Sequence, residues 1–138
     1  EEAIEVARRN WSGDKFSFIV GNFLGKDIGY LDSIVSLDVI EHIEPSEEER
    51  FFETISHNLR EDGICVIGTP NITASAYASL ASQKGHINLF DAKRLVRTTQ
   101  KFFHNVFLFG LNDEVVHTGF APMSHYLLVI GCNKKRIL

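Results

Sequence analysis

The chain has 138 residues and a formal net charge of −4, with 44% hydrophobic and 23% charged residues. This size and composition are typical of one globular domain with its own hydrophobic core. The negative charge does not favour binding to nucleic acid or to an anionic membrane, and no apolar run approaches the ~20 residues of a membrane span. We therefore expect a cytoplasmic protein in which residues 1–138 form a single domain.

Predicted helices and strands alternate along the first half of the chain, which indicates an α/β sheet. Residues Glu2–Asn10 are predicted to form a helix, and residues 16–20 and Leu31–Leu37 are predicted to form apolar strands. Ser46 is predicted to cap the next helix, because Glu49 lies three residues later and completes a capping box.

The second half continues the alternation. The continuous apolar run at residues 64–67 is typical of a strand covered on both faces. Asp91 is predicted to cap a further helix, and residues 106–109 and 126–130 are predicted to be the last strands. The loop at residues 110–124 is long, and loops of more than about 12 residues are usually functional or mobile.

The side chains best suited to chemistry follow the 31–37 strand. Asp38, Glu41 and His42 lie in the sequence Ser-Leu-Asp-Val-Ile-Glu-His-Ile, where the end of a strand in an open α/β sheet binds ligands. His86 lies before the helix that Asp91 caps. Because imidazole titrates near neutral pH, His42 and His86 are the candidate catalytic residues. The alternative is that these histidines only pack or lie in loops.

The last predicted helix has a basic face, formed by Lys93, Arg94, Arg97 and Lys101. We interpret this face as solvated surface. No Gly-x-Gly-x-x-Gly sequence is present, so a nicotinamide-dependent dehydrogenase has no support.

Several segments resemble class I S-adenosylmethionine (SAM)-dependent methyltransferases. The sequence Asp-Val-Ile-Glu-His-Ile at residues 38–43 looks like the end of that family's fourth strand. Glu-Glu-Ala-Ile at the start looks like the helix after its second strand, and Phe-Ile-Val-Gly-Asn at residues 18–22 looks like its third strand. The resemblance implies a Rossmann-like sheet that is mostly parallel, with an antiparallel C-terminal strand.

The resemblance also implies SAM as the cofactor and a methyl transfer to a small-molecule acceptor, with oxygen as the expected methylated atom. Asn22 and Phe23 would then lie near adenine, and Leu37, Asp38 and Val39 along the sulfonium. His42 and His86 would converge on one pocket, with the 110–124 loop as its roof.

One departure from the family concerns the glycine-rich loop that holds the cofactor, which has no counterpart in this sequence. We therefore expect an N-terminally incomplete domain, without the family's first strands, that binds SAM weakly on its own. The alternative is a non-catalytic module that keeps the fold and binds a partner or ligand.

A second alternative is a metal-assisted RNA 3′-end methyltransferase. Such enzymes bind a divalent ion with Glu-x-x-Glu-His and a later His, and the chain has a similar set in Asp38, Glu41, His42 and His86. However, Asp38 is shorter than Glu and the chain is acidic. The leading prediction therefore has no metal site, no nucleic-acid partner and no membrane partner, and it leaves the oligomeric state open.

Overall fold

The computed structural model describes residues 2–11 and 13–136. Its helices and strands are, in chain order, α1 (Glu2–Asn10), β1 (Leu31–Leu37), α2 (Glu48–Asn58), β2 (Leu59–Pro70), α3 (Leu80–Gly85), α4 (Ala92–Phe102), β3 (Phe103–Asn112), β4 (Val115–His117) and β5 (Tyr126–Lys134). None of the helices in this part of the chain has the length and apolar content that a bilayer crossing requires.

The five strands form one sheet in the order β1-β2-β5-β3-β4. The α/β class and the antiparallel C-terminal strand are confirmed. β1 and β2 pair in parallel across the α2 crossover, whereas the other three pairings are antiparallel. The described sheet is therefore less parallel than the sequence predicts, because short connections join β3, β4 and β5 and such connections require antiparallel neighbours.

Residues 16–20 form no strand, which corrects the sequence prediction. The segment has no ladder partner among the described residues, and Ile19 and Val20 are exposed. β1 consequently lies at the edge of the described sheet, with Val35 and Leu37 at least half exposed. The apolar pattern at 16–20 is correct for a strand, but a strand also needs hydrogen-bond partners along its backbone.

The core lies between α2, α4 and one face of the sheet. Phe51, Phe52 and Ile55 from α2 are fully buried, and the Phe52 ring stacks on the Phe102 ring of α4 at 5.4 Å. On the sheet, Cys65 points into this layer, and burial raises the pKa of its thiol to about 12. Its thiol is therefore a packing group rather than a nucleophile.

The two predicted helix caps have different outcomes. Asp91 caps α4 as predicted, because its Oδ1 accepts a hydrogen bond of 2.7 Å from the Arg94 amide. Ser46 does not cap α2, which begins at Glu48 after a 3-10 turn over Pro45–Glu47. Proline favours the first turn of a helix, and Pro45 moves the chain into helical geometry one residue before the predicted cap.

Candidate functional site

The site begins where β1 ends. Asp38 adopts the left-handed conformation (φ 54°), which Asp tolerates better than most residues, and its amide donates to the Gly68 carbonyl of β2 at 3.1 Å. A 3-10 turn over Ile40–His42 follows. Buried Ile40 anchors this turn in the core, and the turn presents Glu41 to the interior and His42 to the surface.

Glu41 is fully buried, although it is an ionisable residue. Its Oε2 accepts a hydrogen bond of 3.0 Å from the Thr69 hydroxyl, while its Oε1 has no hydrogen-bond partner in the described chain. A buried carboxylate oxygen without a partner is costly, and cations are the groups that most effectively stabilise it. The free oxygen therefore marks a position at which positive charge is favoured.

The two candidate histidines converge beside that oxygen, as predicted. Their rings lie 5.0 Å apart with planes at 71°. His42 Nδ1 lies 2.8 Å from the Gly85 carbonyl, which can only accept, so Nδ1 carries the proton. His42 Nε2 lies 4.0 Å from Glu41 Oε1, and in the neutral imidazole with its proton on Nδ1 it presents a lone pair.

Glu41, His42 and His86 together form a set that can hold one ion. Each offers one ligand atom, and these three atoms lie within 4.8 Å of one another. One carboxylate and two imidazoles suit divalent transition metals such as Mn²⁺, Co²⁺ or Zn²⁺. Asp38 is not part of this set in the described structure, which corrects the four-residue ligand set of the metal-assisted alternative.

Tyr126 lies near the Asp38 side chain. Burial, followed by the charge of the Asp38 carboxylate, raises the pKa of Tyr126. The ring lies across Gly68, where a Cβ would come within 2.6 Å of the hydroxyl oxygen. Tyr126 was not among the residues predicted for the site, and the only signal for it in the sequence is Gly68 within an apolar strand.

One of the three ligand residues, His86, also lines a cavity of about 470 Å³. His86 lines it together with His125 and Tyr126 from the start of β5 and Tyr77 from the connector after β2. None of the described residues that line it is Asp, Glu, Lys or Arg.

Residues 110–124 do not contribute to its lining, so the prediction that they form its roof is wrong. That segment instead contains β4 and a 3-10 turn, and Asn71 Nδ2 donates to the Ala121 carbonyl of this turn at 2.9 Å.

The predicted adenine residues lie in a turn against α2. Asn22 Oδ1 accepts from the Leu24 amide at 3.0 Å, and the Phe23 ring packs edge-on against Phe51 at 5.5 Å. Of the predicted sulfonium residues, Leu37 is half exposed and Val39 packs against the core. Contact of these side chains with a cofactor stays a prediction.

Solved structures with a similar fold include several methyltransferases. A SAM-dependent methyltransferase from Thermotoga maritima is 14% identical with a TM-score of 0.60, covering 75% of this chain and 56% of its own. The small RNA methyltransferase HEN1 is 17% identical with a TM-score of 0.63, covering 81% of this chain and 15% of its own.

The partner of the Trm112 methyltransferase activator from Haloferax volcanii matches over a longer range. It is 14% identical with a TM-score of 0.77, covering 97% of this chain and 69% of its own. No family model and no curated protein match the sequence. The chain thus spans little more than half of the Thermotoga protein and about a seventh of HEN1. Its described part has the fold of the class I SAM-dependent methyltransferases.

Proposed function

We propose that the protein is a SAM-dependent methyltransferase that methylates a hydroxyl oxygen next to a divalent cation held by Glu41, His42 and His86. The observation that carries this proposal is the convergence of two imidazoles on the buried carboxylate of Glu41, whose Oε1 has no hydrogen-bond partner among the described residues. The fold supports the cofactor class, and the ligand set supports the oxygen acceptor, because divalent cations bind hydroxyl oxygens readily.

The surroundings of the three ligands fit a metal ion. Metal-binding histidines usually donate their second ring N–H to a carbonyl or carboxylate, and His42 donates to the Gly85 carbonyl in this way. Thr69 likewise fixes the other oxygen of Glu41. An ion pair between Glu41 and a protonated His42 is the simpler alternative, but at 4.0 Å it is long and it gives His86 no role.

A bound SAM would supply the methyl group, and the electron pair of the broken carbon–sulfur bond would stay on sulfur. The acceptor oxygen would bond to the methyl carbon and lose its proton to solvent. Asp38 places negative charge at the end of β1, which favours a cationic sulfonium there. Glu41, His42 and His86 would hold the divalent cation, whose positive charge would lower the pKa of an acceptor hydroxyl bound beside it. His42 and His86 then act as ligands, and neither needs to be the general base.

The cavity supports a small and uncharged acceptor. Its lining side chains are aromatic, aliphatic, small or amide groups, and no Asp, Glu, Lys or Arg is found among its described residues. Pockets of roughly 300–1,000 Å³ are typical of small-molecule sites, and about 470 Å³ lies within this range. The acceptor that fits best is a small molecule with a hydroxyl group and no phosphate.

The 3′ end of an RNA is the second candidate acceptor. The observation in its favour is the ligand set itself, together with the structural similarity to HEN1, whose name records RNA methylation. Against it stand the net charge of −4 and the absence of Lys and Arg among the described residues of the cavity lining. RNA backbones generally require such residues.

The first experiment measures binding of Mn²⁺ to the protein, alone and after Glu41→Gln. This isosteric change keeps an acceptor for Thr69 but removes the charge, so Mn²⁺ affinity should fall by about 100-fold or more, since even indirect contacts to a metal account for 10–100-fold. The matched control is His104→Ala, an exposed histidine on β3 far along the sequence from the three ligands. Equal Mn²⁺ affinity in the wild type and Glu41→Gln would contradict the metal site.

The second experiment measures transfer of tritium from methyl-labelled SAM to two acceptor sets. One set contains small phenols, sugars and alcohols, and the other contains short RNAs with free or blocked 3′ ends. Because this chain is expected to bind SAM weakly on its own, the assay uses raised SAM concentrations, at which we expect slow transfer to a small hydroxyl compound that is lost with EDTA and restored by Mn²⁺. Transfer to RNA alone would favour the second candidate, and no transfer with intact SAM binding would indicate a non-catalytic module.

A further inference from the structure

The segment that carries His86 is held by an ion pair between two helices. Arg94 on α4 belongs to the face interpreted from sequence as solvated, but its guanidinium points back toward residues 85–90. It donates at 2.7 Å to the Leu89 carbonyl and at 2.7 Å to Asn88 Oδ1, and it forms an ion pair with Glu48 of α2. Arg94 is therefore a structural link rather than a surface charge.

Glu48 completes the link from the other side. Its side chain is only 15% exposed, which makes an ion pair there stronger than one at the surface. Its carboxylate also accepts from Asn88 Nδ2 and from the Thr98 hydroxyl, each at 3.2 Å. The start of α2, the first turn of α4 and the segment 85–90 thus meet at one charged pair, which we call the anchor pair (Glu48 and Arg94).

The same segment also fixes the backbone of Glu41. The amides of Ile87 and Asn88 both donate to the Glu41 carbonyl, at 2.9 and 3.0 Å. The buried Asn88 side chain, in turn, is held only by the anchor pair in the described structure. Movement of Asn88 would therefore displace His86 relative to Glu41 and His42.

We propose that the anchor pair is a positioning device for the metal site, because it sets the separation of His86 from Glu41 and His42. This inference rests on the proposed function. Neither Glu48 nor Arg94 belongs to the ligand set, so both act through Asn88 and the 85–90 segment. Supporting contacts of this kind typically change metal affinity by about 10–100-fold.

The role requires arginine rather than any cation. The guanidinium is a planar fork that serves Glu48, Asn88 and Leu89 at once, and its carbon lies 4.0 Å from the centre of the buried Phe90 ring. Lysine can keep the ion pair with Glu48 but is a point charge without this fork. Arg94→Lys should therefore leave the fold intact and loosen the segment that carries His86.

The test compares wild type, Arg94→Lys and Glu48→Gln, with Arg97→Lys as the matched control. Arg97 is exposed on the same helix, and no hydrogen bond or ion pair of its side chain occurs in the described structure. Three quantities are measured: the NOE between the His42 and His86 ring protons without metal, the Mn²⁺ affinity, and the melting temperature. The NOE reports the 5.0 Å ring separation directly and does not require metal or activity.

We expect Arg94→Lys and Glu48→Gln to weaken the NOE and to lower Mn²⁺ affinity at least about tenfold, with Arg97→Lys unchanged. If wild type binds Mn²⁺ and the folded variants bind it equally well, the anchor pair has only a structural role and the inference is wrong. If wild type binds no Mn²⁺, the proposed metal site fails, and this inference, which rests on it, fails as well. In that case the NOE still shows separately whether the anchor pair holds the two rings together.

Discussion

The segments 2–30 and 31–136 both contain large apolar side chains, but these side chains are buried to different extents in the two segments. Every fully buried hydrophobic residue of the described core lies in the second region, from Ile40 to Val129. In the first region no residue of α1 is buried. The large side chains there that are about half exposed or more are Trp11, Phe16, Ile19, Val20, Ile28 and Tyr30.

The first region is attached mainly through polar contacts with α2. The Gly25 amide donates to the Thr54 hydroxyl at 2.7 Å, and the Ile28 amide donates to Asn58 Oδ1 at 2.6 Å. Phe23 and Leu24 provide its partial apolar contact with the core. The comparison shows that an apolar pattern stabilises a fold only where a second layer covers it, because the hydrophobic effect depends on the area removed from water.

The strongest test of this difference is a pair of large-to-small substitutions. Phe52→Ala should lower the free energy of unfolding by about 3–5 kcal/mol, because Phe52 is fully buried and stacked on Phe102. Trp11→Ala should change it by less than about 0.5 kcal/mol, because Trp11 is 60% exposed. Urea unfolding of both variants measures the two values. Similar losses would mean that the first region is packed in solution, and the contrast would be lost.

A smaller effect is expected at the junction of the two regions. Asn58 is buried, and its side-chain amide donates to the Lys26 and Thr54 carbonyls at 2.8 Å while its oxygen accepts from Ile28. Asn58→Ala removes these bonds and leaves polar backbone groups without partners, which costs about 1–3 kcal/mol. Hydrogen exchange should show faster exchange of the Ile28 amide, with the β2 amides unchanged. Unchanged exchange at Ile28 would show that other contacts hold the segment.

The parts of the fold that sequence could predict depend on local pattern. The parallel pair β1 and β2 and the Asp91 cap follow from the alternation of strands and helices and from capping chemistry, whereas the antiparallel β5 was implied by the family resemblance. The convergence of His42 and His86 followed from their positions after neighbouring parallel strands, since such strand ends share one edge of a sheet.

The parts that sequence could not predict depend on contacts between distant residues. Nothing local to residues 16–20 reveals that no strand pairs with them. The Tyr126 contact with Asp38 joins residues 88 positions apart, and the Glu48–Arg94 pair joins residues 46 positions apart. A charged residue on a helix has the same local signature whether it is solvated or buried in an ion pair, so Arg94 was assigned to a solvated face.

The smallest expected effect concerns Asp91 and Ser46, the two residues in the well-packed region that the sequence predicts to be helix caps. Asp91→Ala should lower the free energy of unfolding by about 1 kcal/mol, because it leaves the Arg94 amide at the start of α4 without its acceptor. Ser46→Ala should have an effect below about 0.5 kcal/mol, because Ser46 is exposed in the 3-10 turn and caps no helix. Both changes remove a short polar side chain near a helix start, so the difference between the two denaturation midpoints isolates the capping bond. An equal loss in both variants would mean that α2 begins at the predicted capping box in solution, and that the turn at Pro45 is not its true start.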